Sequence, residues 1–178
     1  MNKKPLEIEY KFLIEYPDTA FLSKLPGYRC VNMTQMYLTL PESFGSESGR
    51  CRIRETEENG EIKYIKTFKQ ALSDLTRIEI ESEITAEEFN KLAVYQTPDC
   101  SPIIKTRHIF PFESFICEVD VFPFWDDRAF LEIEVTSEDI TPPTPPFIRI
   151  IKDVSTDKRY RNSALARNVV FEPFEPFN

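Results

Sequence analysis

Along most of the chain, apolar and charged residues alternate with a period of two. "LEIEYKF" (6–12) sets Leu6, Ile8, Tyr10 and Phe12 against Glu7, Glu9 and Lys11. That period gives a strand one apolar face and one charged face. It predicts strands over 5–14, 33–40, 50–57, 62–69, 76–84, 103–110, 115–122 and 129–136. Asn59–Gly60, between the third and fourth, predicts a tight hairpin turn. Helical spacing is rarer. "TAEEFNKLAVY" (85–95) opens with Thr85 and Glu88, a capping box, and carries Phe89, Leu92 and Ala93 on one face. Asp18 is placed to cap a short helix over 18–25, and a third helix is predicted over 157–170. The proline clusters "TPPTPPF" (141–147) and "EPFEPFN" (172–178) read as a rigid loop and an extended tail. Eight antiparallel strands with about three helices predict an α+β, mainly β fold, with residues 1–178 as one domain.

Composition narrows the class. With 41% hydrophobic and 29% charged residues, the chain reads as soluble and globular. No stretch has the apolar length of a membrane span, and "MNKKPLEIEY" lacks the apolar core of a signal peptide. Cys30, Cys51, Cys100 and Cys117 show no CxxC spacing, which speaks against a zinc site and for a reducing, cytoplasmic location. A net charge of −8 argues against nonspecific nucleic-acid binding. It leaves room for a local basic site.

The charged faces need an explanation. Arg50, Arg52 and Arg54 share one face of their strand, and Lys105 and Arg107 share another. Glu7 with Glu9, Glu118 with Asp120, and Glu132 with Glu134 form carboxylate pairs, while Arg77 precedes Glu79, Glu81 and Glu83. Two structures can host this pattern. In one, the charged faces meet water, which is ordinary for antiparallel sheets. In the other, the sheet closes into a barrel and the charged faces line a wet cavity, with helices covering part of the apolar outside. Residues i and i+2 of a strand lie only about 6.6–6.8 Å apart, so single-sign faces call for an opposite charge between them. Carboxylate pairs suit Mg²⁺ or Mn²⁺. Arginine clusters suit a polyanion such as a phosphate chain. Metal and polyphosphate form one coherent ligand.

The same residues resemble the CYTH domain, or triphosphate tunnel metalloenzyme, family over nearly the whole chain. Glu7-Ile8-Glu9-Tyr10-Lys11 is similar to its ExExK signature. "QMYL" (35–38), "RIR" (52–54), "TFK" (67–69), "RIEIE" (77–81), "IKTRHIF" (104–110), "CEVDVF" (117–122), "LEIEVTS" (131–137) and "DVSTDKRYRNSALA" (153–166) follow in the family's order. The resemblance implies an eight-stranded antiparallel closed barrel, a tunnel, with a few flanking helices. It implies a small-molecule triphosphate as substrate and one or two Mg²⁺ or Mn²⁺ ions. On it, Glu7, Glu9, Glu132 and Glu134 are metal ligands, with Glu118 and Asp120 assisting. Arg52, Arg54, Arg77, Lys69, Lys105 and Arg107 bind the triphosphate, with Glu79 and Glu81 holding basic side chains or metal-bound water. Lys11 activates water, with Tyr37 as partner.

The expected activity is metal-dependent hydrolysis of a triphosphate, inorganic triphosphate first. The alternatives are thiamine-triphosphate or nucleoside-triphosphate hydrolysis, class IV adenylate cyclase chemistry, a noncatalytic polyphosphate- or nucleotide-binding module, and a solvated-face β protein with no ligand. A monomer or homodimer is expected, with neither nucleic-acid nor membrane partners. His108, the single histidine, falls on the face opposite Lys105 and Arg107 and reads as packed. Cys51 and Cys117 read as core thiols, and Trp125 as a packing residue near the barrel rim. Lys158 or Arg159 could close the tunnel mouth or cap a solvated helix.

Overall fold

The computed structural model describes residues 6–47, 49–71 and 76–174; for residues 6, 7, 46, 47, 69–71 and 76–79 it describes the backbone alone. The alternating segments become β1 (Leu6–Glu15), β2 (Arg29–Leu40), β3 (Gly49–Glu58), β4 (Glu61–Ala71), β5 (Thr76–Ile84), β6 (Ile103–Phe112), β7 (Phe115–Val121) and β8 (Arg128–Val135). A further strand, β9 (Ile150–Asp153), follows the proline loop. All lie in one antiparallel sheet of order β5-β4-β3-β2-β6-β7-β8-β1-β9. β1 also meets β5, through Leu6–Ile78, Glu7–Arg77 and Ile8–Thr76.

The expectation of eight strands is thus corrected to nine. One edge of β1 runs along β8. The other is divided: residues 6–8 meet β5, and residues 12–14 meet β9 across a register shift at Leu13/Ile14. Adjacent Ile150 and Ile151 break clean alternation, so β9 carries no period-two signal.

The β3–β4 turn forms as its sequence dictates. Asn59 (φ 54°) and Gly60 (φ 85°) are both left-handed, as this kind of two-residue hairpin requires. Helix α1 (Thr19–Leu22) is capped by the Asp18 carboxylate, which accepts from the Phe21 amide at 2.9 Å. Helix α2 (Ala86–Ala93) carries the complete capping box: the Thr85 hydroxyl accepts from the Glu88 amide, and the Glu88 carboxylate from the Thr85 amide. The third helix is shorter than its pattern suggests. A 3₁₀ turn (Lys158–Tyr160) and α3 (Asn162–Leu165) are separated by extended Arg161 (φ −67°, ψ 138°). In one continuous helix, positions 160 and 165 would point about 140° apart. The break lets both Tyr160 and Leu165 enter the same core.

Three apolar layers hold the sheet. On its outer face, Leu22 of α1 packs with Phe12, Phe110, Val119 and Leu131, and Phe89 and Leu92 of α2 pack with Leu38, Cys51 and Ile53. The third layer lies inside. Leu13 and Phe130 share the inward face with Lys11 and Glu132 and pack with Phe122, Trp125, Tyr160 and Leu165. Trp125 is a packing residue, as expected; its Nε1 donates to the Val170 carbonyl at 3.0 Å. His108 also points outward, with Nδ1 2.7 Å from the Tyr28 hydroxyl.

Neighbouring positions on β3 therefore have opposite tasks. Ile53 is fully buried beneath α2. Ile53→Ala is expected to lower unfolding free energy by about 2–5 kcal/mol, read from the urea midpoint. Turnover per folded molecule stays at the wild-type level, since the side chain lies on the far side of the sheet from the cavity.

Candidate active site

The inward charged faces enclose a cavity of about 740 Å³. Its lining includes Glu9 and Lys11 (β1), Tyr37 (β2), Arg50, Arg52 and Arg54 (β3), Glu81 (β5), Lys105 and Arg107 (β6), Glu118 (β7), and Glu132 and Glu134 (β8). Sheet order sorts these charges. β3 and β6 flank β2 and form a basic wall, while β7, β8 and β1 follow as an acidic one. The charged faces of these strands thus line one cavity.

On the acidic side, Arg107 lies opposite Asp120 in the register. Its Nε donates to Asp120 Oδ1 and its Nη2 to Asp120 Oδ2, both at 2.7 Å, and it also pairs with Glu118 and Glu132. Burial works against the Arg107 charge, but Asp120 and Glu132 outweigh it and hold the guanidinium as a cation. Lys105 pairs with Asp120; burial, then the Arg107 charge, pull its pKa down. Lys11 lies opposite Glu132, with Nζ 2.8 Å from Oε1 and 3.9 Å from the Phe130 ring centroid. Burial opposes the Glu132 charge, yet Lys11 and Arg107 keep its pKa well below the usual carboxylate range. Glu118 is pushed the other way: its burial outweighs the pull of Arg107.

On the basic side, one oxygen of Glu81 accepts from three donors. They are the Thr67 hydroxyl (3.0 Å), Arg52 Nη2 (3.2 Å) and Arg54 Nη2 (3.4 Å). Burial and then the Arg52 charge lower the Arg54 pKa to about 10. Two desolvated guanidinium groups repel each other here, and an anion placed between them would relieve both.

The expected ligand set is distributed unevenly. Glu9 and Glu134 stand directly opposite each other on β1 and β8. Glu118, Asp120 and Glu132 are salt-bridged to the lysines and arginines of the site. The side chains of Glu7, Lys69, Arg77 and Glu79 lie outside the described residues; their backbones pair Glu7 with Arg77 and Lys69 with Glu79. Among the described residues, no group of three His, Cys, Asp or Glu side chains forms a metal site. Arg50 lines the cavity, whereas Arg159 is not among its lining residues and instead pairs with Asp157 and Glu172.

The segment that resembles the family's closing stretch, where Lys158 or Arg159 was expected at the mouth, supplies a wall through other residues. Ser155, Asp157, Tyr160, Arg161, Asn162 and Ser163 line the cavity from the segment after β9. Ser155 is fixed there by accepting from the Lys11 backbone amide at 2.9 Å. These residues carry no period-two signal, because they sit on turns and short helices.

Comparison with known proteins agrees with this geometry. The sequence model of the CYTH domain matches residues 5–159. The inorganic triphosphatase of Nitrosomonas europaea is 30% identical over 166 residues, covering 92% of this chain and 98% of that protein. A crystal structure of the inorganic triphosphatase NE1496 is 28% identical and covers 91% of this chain and 95% of that one, with a TM-score of 0.52. The PH1819 protein of Pyrococcus horikoshii is 25% identical, covers 75% and 80% respectively, and superposes with a TM-score of 0.52. The chain belongs to the CYTH domain family.

Proposed function

We propose that this protein hydrolyses a triphosphate, inorganic triphosphate above all, in the charged cavity. The observation that carries the reading is the crowded basic wall: buried Arg52 and partly buried Arg54 stand side by side on one carboxylate oxygen, facing carboxylates across the cavity. Such a wall gains most from a chain of phosphates. The 30% identical relative is an inorganic triphosphatase, which points the same way. The whole chain acts as one domain, with β1–β8 as a closed tunnel wall; the β1–β5 pairing supports closure.

Arg52, Arg54, Lys105 and Arg107, with Lys69 and Arg77, grip the nonbridging oxygens and take up the charge that develops there. Lys11, oriented by Glu132, places the attacking water in line with the terminal phosphoryl group, and Tyr37 donates from the β2 side. A Mg²⁺ or Mn²⁺ ion would be held by Glu9 and Glu134, with Glu7. Facing glutamates on paired strands repel, and Glu9 and Glu134, with Glu7, offer only hard oxygens. Glu132 and Glu118, which also line the cavity, and Asp120 behind them would assist. When bound, the ion neutralises phosphoryl oxygens and makes the terminal group a better electrophile.

The cavity favours a ligand without an organic part. Tyr160 is buried against Phe130, and Tyr37 packs on the same inner core. Among the described residues the lining is mostly charged and polar, as a bare phosphate chain needs. The test is phosphate release from inorganic triphosphate, thiamine triphosphate and ATP with Mg²⁺ or Mn²⁺. Fastest turnover of inorganic triphosphate is expected. Cyclic AMP from ATP would replace this reading with a cyclase. Tight binding with no release from any of the three would make the protein a binding module.

A further inference from the structure

We infer that Gln35 is a positioning residue, whose amide holds the Tyr37 hydroxyl as an acceptor so that the phenolic proton is presented to the cavity. This rests on the triphosphate reading of the site above.

Gln35 and Tyr37 are two residues apart on β2 and share its inward face, between the two basic strands. Gln35 is 0% exposed. Its Nε2 donates to Tyr37 Oη at 3.0 Å. Its Oε1 has no hydrogen-bond partner among the described residues, and neither does Arg54 Nε, on the residue directly across the β2–β3 ladder. Acceptor and donor are thus complementary neighbours at the back of the basic wall.

A buried amide with one unsatisfied atom is costly, and an apolar side chain of similar size would fill the space without that cost. Packing alone therefore does not explain the glutamine. What it does locally is chemical. A phenol has one proton and two lone pairs. With one lone pair occupied by the Gln35 amide, the O–H bond turns away from Gln35. Tyr37 lines the cavity, so its proton is aimed where a phosphoryl oxygen would sit. Burial pushes the Tyr37 pKa up to about 12, so the proton stays in place at neutral pH. A carboxylate at position 35 would invert the arrangement, accepting the phenolic proton and withdrawing the donor from the site.

The test uses Gln35→Glu and Gln35→Met, each alone and combined with Tyr37→Phe, in steady-state phosphate release from inorganic triphosphate. Each single variant is expected to lower kcat about tenfold or more, with KM within about twofold. In the Tyr37→Phe background neither should cost anything further. Wild-type kcat in both variants, or losses that multiply with Tyr37→Phe, would overturn the assignment, since a merely structural glutamine would harm both backgrounds. A second readout does not depend on turnover. In protein labelled at tyrosine Cζ, the Tyr37 carbon signal, identified by its loss in Tyr37→Phe, should shift when inorganic triphosphate is added to the wild type and stay still in Gln35→Glu. An inactive wild type that keeps this contrast would sink the hydrolase reading and leave the positioning role standing. Equal shifts in wild type and Gln35→Glu would sink the positioning role alone.

Discussion

Arg107→Ala should be the most damaging single change in the site, lowering unfolding free energy by about 3–5 kcal/mol and abolishing triphosphate binding. The reason is what it strands. Asp120 is 0% exposed and receives two bonds from the Arg107 guanidinium, while Glu132 and Glu118 lean on the same group. Removing the cation leaves three close carboxylates with Lys105 and Lys11 as their cationic contacts in the site. Buried like charges at that spacing cannot all stay ionised without cost. Arg107→Lys should recover only part of the loss, because an ammonium cannot reproduce the paired Nε and Nη2 contacts to both oxygens of Asp120. Thermal unfolding and calorimetric titration with inorganic triphosphate check both halves. An unchanged melting temperature would show that the three acids do not depend on Arg107.

Lys11→Ala should separate catalysis from folding. Lys11 shares Glu132 with Arg107, so the acid keeps a partner when the lysine is removed. The fold should survive, and the basic wall on β3 and β6 is untouched. Turnover of inorganic triphosphate is expected to fall by about 10²–10⁴-fold, the range for losing a positioned proton-handling group. Binding measured by calorimetry should remain within about tenfold of the wild type, because this loss belongs to the transition state rather than to binding. Weakened binding with unchanged kcat would instead place Lys11 among the substrate-gripping cations.

How much of this was legible in the sequence depends on how each residue is held. Period-two alternation carried the strands, because each sets an apolar face against a charged one even where, as in β8, both faces are buried, and it put Lys105 with Arg107 and Glu132 with Glu134 on shared faces. The cross-strand partners were not legible. Nothing along the chain says that Asp120 answers Arg107, and the family resemblance gave Glu81 a hold on basic side chains without saying that they are Arg52 and Arg54, since register is a property of two strands together. Glu118 and Asp120 read as a carboxylate pair in one dimension, and in three both also pair with Arg107. β9, and which side chains between Ser155 and Ser163 face the cavity, were not legible for a related reason. Their places are set by the edge of β1 and by the inner apolar core, while their own pattern is irregular.

The most direct test of the central claim is phosphate release from inorganic triphosphate by the wild type and by Arg54→Glu, with Mg²⁺ or Mn²⁺ present and folding confirmed for both. Arg54 lines the cavity wall beside Arg52, partly buried, so reversing its charge should repel the substrate without reaching the outer core. Turnover by the wild type and none by the folded variant is the predicted result. Equal rates in the two proteins, or no release by the wild type, would contradict hydrolysis in this cavity.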